Sequence, residues 1–299
     1  MDTRPIILFF NDFFGRPPEI EPLASCRNCC EFTADRRRFY EASAVVFHIP
    51  TFEGIGSPRK RPGQLWVAWS MESAVNYPLL DDQAFMKNFD VRMTYEQSAD
   101  VWCPYLPSER EFEKALAKPK ATKSASASTV MLQSTDFDRS GRNAFARELM
   151  DYLKIDSFGA FLNNRQFETP DRGRETKLSL IANYKFCIGF ENAIAEDYVT
   201  EKFFDPLLSG SVPVYRGAPN VDAFAPGPKA FVNVFGFTGA RELAEYLNYL
   251  DNDDEAYRDH LAWREVGLSE QLRGQLARRG AEPFCRLCKL VVDKLRSIF

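Results

Sequence analysis

The sequence predicts an α/β protein of two domains, each built around a parallel sheet. Its 299 residues are enough for two ordinary domains with separate cores. In the first half, short apolar runs of strand length recur between segments rich in charge, proline and glycine. In the second half, strand-like runs alternate with amphipathic helical patterns, which is typical of βαβ units.

Four apolar runs predict the strands of the first domain, at 6–10, 45–49, 64–69 and 91–95. The segment 114–128 then reads KALAKPKATKSASAS, without aromatic residues. Such a composition favours an exposed connector or a loose helix. We therefore place the domain boundary there and predict domains 1–123 and 124–299.

The second domain is predicted to contain five strands and three helices, because apolar runs alternate with residues at helical spacing. In chain order these are a strand at 129–134, a helix at 140–153, strands at 155–162 and 185–190, a helix at 198–208, strands at 212–215 and 231–234, and a helix at 242–250.

Charge and hydropathy exclude two classes of partner. With 38 basic and 42 acidic residues the chain shows no basic face for nucleic acid. The longest apolar runs, 6–10 and 44–47, have the length of strands, so we expect no integral membrane segment. The first apolar run ends at Asn11, which is unlike a secretory signal.

Polar residues separate the strand at 185–190 from the helix that follows it. Open α/β sheets bind ligands at this position, at the carboxyl ends of strands and beside helix N-termini. Lys202 suits a phosphate and Glu201 suits a ribose diol. The alternative is that both belong to a solvated helix face and that Asp197 is only an N-cap. The residue pattern alone leaves both interpretations open.

The segment 190–220 reads FENAIAEDYVTEKFFDPLLSGSVPVYRGAPN and resembles the signature of the family 10 α1,3-fucosyltransferases. Similar stretches are AVVFHIP at 44–50, RPGQLWVAWSMES at 61–73, FDVRMTY at 89–95 and CRLC at 285–288. The resemblance implies a GT-B fold, in which two Rossmann-like domains face a central cleft. It further implies an N-terminal acceptor-binding domain, a C-terminal GDP-fucose-binding domain with a helical tail, and inverting transfer of L-fucose to a GlcNAc residue.

The same resemblance assigns the donor site. Arg142, in SGRNAF, and Lys202 match the family's cations on the GDP diphosphate. Two cations and helix dipoles can replace a metal, so we expect no metal and no cofactor beyond the donor GDP-fucose. The acidic run DNDDE at 251–255 is accordingly interpreted as surface.

Further donor contacts are implied at Asn192, Tyr198 and Glu201, which match positions on phosphate, ribose or fucose, with Glu201 on the ribose. Glu191 is expected to brace this loop or the sugar. A packing role for Tyr198 at the helix start is the alternative.

The general base is predicted to be Glu72, because WVAWSMES places it just beyond a strand, between apolar neighbours that favour a raised pKa. The family's matching glutamate is its proposed base. A loop hydrogen bond is the alternative role for Glu72. His48 is the second candidate for the base, or an acceptor-orienting residue, and Tyr77 is a candidate acceptor contact. His260, in a charged helical segment, is expected to be inert.

Seven cysteines include two CxxC pairs, Cys26–Cys29 and Cys285–Cys288, and the neighbouring Cys30. The pairs are too far apart for an ordinary zinc ribbon, and neither clearly begins a thioredoxin-like helix. Structural disulfides or plain thiols are therefore favoured over metal or redox chemistry. The pairing of these cysteines stays open.

Several functional alternatives remain beside GlcNAc transfer. The motifs WSMESAVNYP, EDYVTEKFF and CRLC slightly favour the branch that modifies the N-glycan core, with LacNAc or a protein hydroxyl as other acceptors. A non-catalytic sugar-nucleotide or glycan-binding protein on the same fold is another class, although Glu72, Arg142 and Lys202 are all present. We expect a cytoplasmic location for a bacterial enzyme and the Golgi lumen for the soluble part of a eukaryotic one.

Overall fold

A computed structural model describes residues 4–18, 29–118, 123–168, 170 and 172–296. The chain forms two compact α/β units. Unit 1 combines Met1–Pro104 with Arg279–Phe299, and unit 2 is Tyr105–Arg278. The units therefore divide before the predicted position at 123/124, and the last helix belongs to unit 1.

Unit 1 contains a six-stranded parallel sheet in the order β2-β1-β3-β4-β5-β6. The predicted strands are all present, and two short edge strands, β2 and β6, were not predicted. The strands are β1 (Ile6–Phe9), β2 (Glu31–Thr33), β3 (Ala44–His48), β4 (Leu65–Ser70), β5 (Val91–Thr94) and β6 (Val101–Trp102).

Unit 2 contains a five-stranded parallel sheet in the order β11-β10-β9-β7-β8. Its strands are β7 (Thr129–Met131), β8 (Ile155–Ser157), β9 (Phe186–Phe190), β10 (Val212–Arg216) and β11 (Val232–Asn233). The predicted strand at 155–162 is wrong beyond Ser157, because the chain turns back there and Leu162 takes a left-handed conformation with φ of 52°.

Ten helices lie in the described parts of the chain. They are α1 (Gln83–Met86), α2 (Glu109–Ala117), α3 (Arg142–Tyr152), α4 (Arg174–Ile181), α5 (Glu201–Ser209), α6 (Ala240–Asn252), α7 (Asp254–Asp259), α8 (Trp263–Val266), α9 (Glu270–Arg279) and α10 (Pro283–Arg296). None of these described helices is long and apolar enough to cross a membrane.

Helix α2 explains why unit 2 begins before the predicted connector. A capping box formed by Ser108 and Glu111 starts the helix, and Phe112 and Ala115 bury its apolar face. Glu111 also pairs with Arg174 of α4 at 2.7 Å. The lysine- and alanine-rich composition hid these anchors, and the remainder of the predicted connector, 119–122, lies outside the described residues.

Helix α10 is attached to unit 1 by packing and by a disulfide. Leu287, Cys288 and Val291 are buried in the same core cluster as the apolar face of β1, β3 and β4. A disulfide joins Cys30 to Cys288 across 258 positions of sequence. Structural disulfides are thus confirmed for these two cysteines, while Cys26 lies outside the described residues.

We predict that Cys288→Ser lowers the free energy of unfolding of unit 1 by about 2–5 kcal/mol. The reason is that the disulfide closes a long loop and thereby restricts the unfolded chain. Urea denaturation of the variant and the parent measures this loss. Cys29→Ser is the matched control, because Cys29 is exposed and not in a disulfide. Equal midpoints for Cys288→Ser and Cys29→Ser would contradict the stabilising role of the disulfide.

Candidate active site

The loop between β9 and α5 is fixed by two side chains that lie far apart in sequence. Asp197, which has φ of 62°, donates its backbone N–H to Asn220 at 2.9 Å, and Asn220 donates its side-chain amide back to Asp197 at 2.8 Å. The N-cap of α5 is Thr200, whose hydroxyl accepts from the backbone N–H of Lys202. The alternative that Asp197 caps this helix is therefore wrong.

Glu191 lies directly after β9 and has no exposed surface. Its carboxylate accepts hydrogen bonds from the backbone N–H and the hydroxyl of Thr200, both at 2.8 Å. The ammonium of Lys202 lies 3.3 Å from the same carboxylate, and the hydroxyl of Tyr215 lies 3.5 Å from it. Through these contacts Glu191 braces the start of α5.

Lys202 is held between two carboxylates. Its ammonium lies 3.0 Å from Glu201 and 3.3 Å from Glu191, and 27% of its side chain is exposed. Burial opposes the charged form, but these two carboxylates outweigh burial and raise the pKa of Lys202. Burial raises the pKa of Glu191 as well. The interpretation of Glu201 and Lys202 as a solvated helix face is wrong for Lys202.

Two glycines allow this close packing. A Cβ at Gly217 would lie 2.5 Å from the Glu191 side chain and 2.4 Å from the Tyr215 hydroxyl. A Cβ at Gly189 would lie 2.5 Å from the carbonyl oxygen of Lys202. All three distances are shorter than side chains tolerate, so the glycines of CIGF and YRGAPN are required by the brace around Glu191.

Arg142 begins α3 and is 2% exposed. Its guanidinium donates to the carbonyl oxygens of Phe190 at 3.1 Å and Phe137 at 2.9 Å, while its Nε has no hydrogen-bond partner in the described part of the chain. Burial lowers the pKa of Arg142, against the opposing charges of Asp138 and Glu191. Arg142 therefore lies beside the Glu191 group, and two of its nitrogens hold the surrounding backbone.

The remaining predicted donor residues lie on the same loop. Tyr198 is 1% exposed and packs edge-on against Tyr105, with ring centroids 6.2 Å apart. This placement agrees with the packing alternative for Tyr198. Asn192 is half-buried, and its carbonyl oxygen accepts from the backbone N–H of Arg139 at 2.8 Å. Donor contacts of Asn192 and Tyr198 stay predictions.

Sequence reasoning missed Arg216, which ends β10 opposite Phe190. Its guanidinium donates to the carbonyl oxygen of Ser140 and lies 5.3 Å from the centre of the Phe235 ring and 5.9 Å from that of Phe145. The signal was available, because a cation directly follows the apolar run VPVY at the carboxyl end of a strand.

In unit 1, Glu72 lies two residues beyond β4 and is half-buried. The hydroxyl of Ser70 accepts from the backbone N–H of Glu72 at 2.9 Å and donates to its carbonyl oxygen at 2.8 Å. Burial and then the charge of Glu72 raise the pKa of Tyr77, whose ring centroid lies 6.3 Å from that of Phe14. The buried hydroxyl of Ser70 thus fixes the backbone of Glu72, the predicted base.

His48 ends β3 beside this position, and its protonation follows from its neighbours. The hydroxyl of Thr51 donates to the carbonyl oxygen of Asp12 at 2.6 Å, so it must accept from Nδ1 of His48 at 2.8 Å. Nε2 is then the unprotonated nitrogen, and it is buried with no hydrogen-bond partner among the described residues. Burial lowers the pKa of His48 to about 4, so the ring is neutral at pH 7.

Aromatic rings surround His48. The ring centroids of Phe13, Phe14 and Trp69 lie 4.7, 4.8 and 5.1 Å from that of His48. Phe14 is nonetheless 45% exposed, and its φ of 49° is unusual for a residue with a side chain. The structure thus gathers Glu72, His48 and Tyr77 at the carboxyl ends of β3 and β4.

The predicted residues therefore form two groups, one in each unit. Unit 2 holds those around Glu191 and Lys202, and unit 1 holds those around Glu72. His260, predicted to be inert in a charged segment, is instead 4% exposed, and its Nε2 lies 3.1 Å from the hydroxyl of Tyr246. Among the described residues, no three His, Cys, Asp or Glu side chains are grouped to hold a metal ion.

Two family models match this chain. The model of the C-terminal part of glycosyltransferase family 10 (fucosyltransferase) matches residues 121–297, and the fucosyltransferase N-terminal model matches residues 2–106. This chain belongs to glycosyltransferase family 10. The predicted family is confirmed.

Curated relatives of this family 10 chain have a longer sequence. Human GDP-fucose protein O-fucosyltransferase 3 is 31% identical over 285 residues, which are 89% of this chain and 58% of the human protein. The Xenopus tropicalis protein of the same name is 30% identical, over 89% of this chain and 59% of the Xenopus protein. A putative fucosyltransferase-like protein of Arabidopsis thaliana is 32% identical, over 80% of this chain and 45% of the Arabidopsis protein. The chain thus spans about half the length of these relatives.

Solved structures confirm the fold of this family 10 chain. A crystal structure of an α1,3-fucosyltransferase matches with a TM-score of 0.61 and 18% identity, over 99% of this chain and 90% of that one. A structure of an α1,3-fucosyltransferase with GDP matches with a TM-score of 0.57 and 18% identity, over 87% of this chain and 82% of the other chain. The predicted α/β fold of GT-B type is therefore confirmed.

We predict that Glu191→Ala lowers the free energy of unfolding by about 3–5 kcal/mol, because Thr200 and Lys202 lose a buried charged partner. Glu191→Gln should lower the free energy of unfolding by less, since an amide oxygen can still accept a hydrogen bond from Thr200. Thermal and urea denaturation measure both. Glu196→Ala, an exposed carboxylate of the same loop, is the control. The brace is unsupported if Glu191→Ala and Glu196→Ala unfold at the same urea concentration.

We also predict an acid-sensitive step at His48. Its folded pKa, about 4, lies below the ordinary value of 6.5, so its stability contribution is complete above pH 6.5 and is lost as the pH falls toward 4. The loss amounts to about 3 kcal/mol from the pKa difference. His48→Asn should remove this part of the pH dependence, as measured by denaturation at pH 7, 5.5 and 4. Parallel curves for the variant and the parent would contradict the assignment.

Proposed function

We propose that this chain transfers L-fucose from GDP-fucose to a hydroxyl acceptor with inversion at the anomeric carbon. The observation that carries the proposal is the group at the N-terminus of α5, where Glu191 positions Lys202 beside the carboxyl ends of β9 and β10. A helix N-terminus with a fixed cation is suited to a diphosphate. The GDP and GDP-fucose complexes of the structural neighbours support the same donor.

In the proposed donor site, Lys202 and Arg142 stabilise the negative charge that grows on the leaving GDP. The exposed part of Glu201, whose side chain is 40% accessible, is available to the ribose hydroxyls. Arg216 adds a third cation at the end of β10. These charges support leaving-group departure without a metal, and we propose that no metal or further cofactor is obligatory.

In the proposed reaction, the acceptor oxygen forms a bond to C1 of fucose while the bond from C1 to the diphosphate oxygen breaks. The electron pair of the broken bond stays on GDP, and the acceptor proton passes to the carboxylate of Glu72. Glu72 suits this role because the Ser70 clamp fixes its backbone at the end of β4. His48 is less suited, since Nε2 is buried and its pKa of about 4 makes it a weak base.

For the acceptor, we propose a protein hydroxyl in first place. The supporting observation is that relatives named protein O-fucosyltransferase 3 are 30–31% identical over 89% of this chain. A GlcNAc hydroxyl of a glycan, including the N-glycan core, is the second candidate. It is supported by the quoted motifs and by the α1,3-fucosyltransferase structures, which are 18% identical to this chain.

We further propose that the protein works in an oxidising compartment such as the Golgi lumen. The Cys30–Cys288 disulfide supports this location over the cytoplasm, where such bonds are rare.

The acceptor proposal is tested by incubating the protein with GDP-fucose and two sets of acceptors. One set contains folded protein domains with exposed Ser and Thr, and the other contains GlcNAc-terminated and N-glycan core glycans. Mass spectrometry should show the gain of one deoxyhexose on protein. Transfer only to glycans would replace the first acceptor by the second, and absence of transfer together with absence of GDP binding would overturn the proposed function.

We predict that Glu72→Gln lowers kcat by about 10²- to 10⁴-fold because the acceptor proton loses its base. Affinity for GDP should stay within about twofold, as measured by calorimetry, because Glu72 lies outside the donor group. Glu41→Gln, which neutralises an exposed carboxylate of the same unit, is the control. Near-normal turnover in Glu72→Gln would refute the base assignment.

Lys202→Ala should instead weaken GDP binding by about 10- to 100-fold, because one charge-assisted contact to the diphosphate is lost. Calorimetric titration with GDP measures the change, and circular dichroism checks the fold. Lys114→Ala removes an exposed cation of unit 2 and serves as the control. Unchanged GDP affinity in Lys202→Ala would remove Lys202 from the donor site.

A further inference from the structure

A cavity with several charged lining residues lies in unit 2 at the carboxyl end of α5, whereas Glu201 and Lys202 lie at the amino end of that helix. The cavity has a volume of about 430 Å³. Its charged lining residues are Lys118, Lys123, Arg258, Arg264 and Glu175. It is therefore separate from the group around Glu191, since the two lie at opposite ends of one helix.

The cations of this cavity lack acidic partners. Within the described ranges, none of Lys118, Lys123, Arg258 and Arg264 forms an ion pair, although acidic residues outnumber basic ones in the chain by 42 to 38. Glu175 is the single carboxylate among the described lining residues, which leaves an excess of three positive charges. The C-termini of α2, α4 and α5 all lie at these cations, because their carbonyl oxygens accept hydrogen bonds from Arg264 and Lys123, and together they offset about one and a half charges.

Two of the cations are fixed by the surrounding backbone. The ammonium of Lys123 donates to the carbonyl oxygens of Gly210 at 2.8 Å and Ala182 at 3.0 Å. Nη2 of Arg264 donates to the carbonyl oxygen of Ala115 at 2.7 Å. Burial, and then the nearby charge of Arg264, lower the pKa of Lys123 to about 8.

Among the described residues, two buried polar atoms in the cavity wall have no hydrogen-bond partner. They are Nη1 of Arg264, on the same guanidinium that Ala115 fixes, and the hydroxyl oxygen of Ser209 in the last turn of α5. Buried polar atoms are rarely left unpaired, and an unpaired charged donor is especially costly. These atoms therefore mark positions at which a ligand oxygen would be stabilised.

We propose that this cavity binds a small molecule carrying a phosphate or diphosphate group. Oxygen atoms of the anion would accept hydrogen bonds from Arg264 and Ser209, and its charge would be balanced by Lys118 and Arg258, whose side chains are exposed at the cavity. About one and a half positive charges remain once the helix C-termini are counted, which suits a multiply charged oxyanion better than a single carboxylate. The volume of about 430 Å³ has room for a small organic group attached to the anion.

The site is tested by calorimetric titration of the whole chain with pyrophosphate and, separately, with inorganic phosphate, at low ionic strength. The titrations use Lys202→Ala as the parent, so that binding at the α5 N-terminus is weakened. One pyrophosphate should bind per chain, and Lys118→Glu/Arg258→Glu, which reverses two exposed charges at the cavity, should raise its Kd at least tenfold. Inorganic phosphate should bind more weakly than pyrophosphate and respond in the same direction.

The matched control is Lys87→Glu/Lys114→Glu, which changes the net charge equally at exposed positions that do not line the cavity. It should change the Kd less than twofold. Arg264→Gln provides a second test, because it removes the buried donor while circular dichroism reports on the fold. The proposal is overturned if neither anion binds, or if the two double variants weaken binding equally.

Discussion

The carboxylate of Glu191, which has no exposed surface, lies where β9 ends and α5 begins. Removing a carboxylate from water is costly unless hydrogen bonds and an opposite charge compensate it. Here Thr200 supplies two hydrogen bonds and Lys202 supplies the charge. Because these partners belong to the first turn of α5, satisfying Glu191 also fixes where the helix starts and where Lys202 points.

The consequences of this buried charge extend through the neighbouring segments. Tyr215 contacts Glu191 from β10, and Gly217 is required because any side chain there would collide with both. Arg142 lies close enough to respond to the same charge. The signature at 190–220 therefore includes most of the residues that surround the Glu191 carboxylate. The proposed donor site lies on the exposed side of this group of residues.

Much of this arrangement could be predicted from sequence, because strands and the amphipathic α5 leave periodic apolar patterns. The strands β2 and β6 are only three and two residues long, too short to give such a pattern. The cap of α5 was misplaced because Asp197 is paired with Asn220, 23 positions away. The protonation of His48 depends on Thr51 and Asp12, and the cavity beside Arg264 depends on chain segments that are distant in sequence.

Hydrogen–deuterium exchange with and without GDP tests the placement of the donor most directly. We expect GDP to slow exchange in 191–204 and around Arg142 and Arg216, where backbone N–H groups lie next to the proposed diphosphate. Segments remote from the N-terminus of α5, such as α6, should keep their rates. Protection confined to unit 1 or to the cavity at the other end of α5, with 191–204 unchanged, would contradict the account.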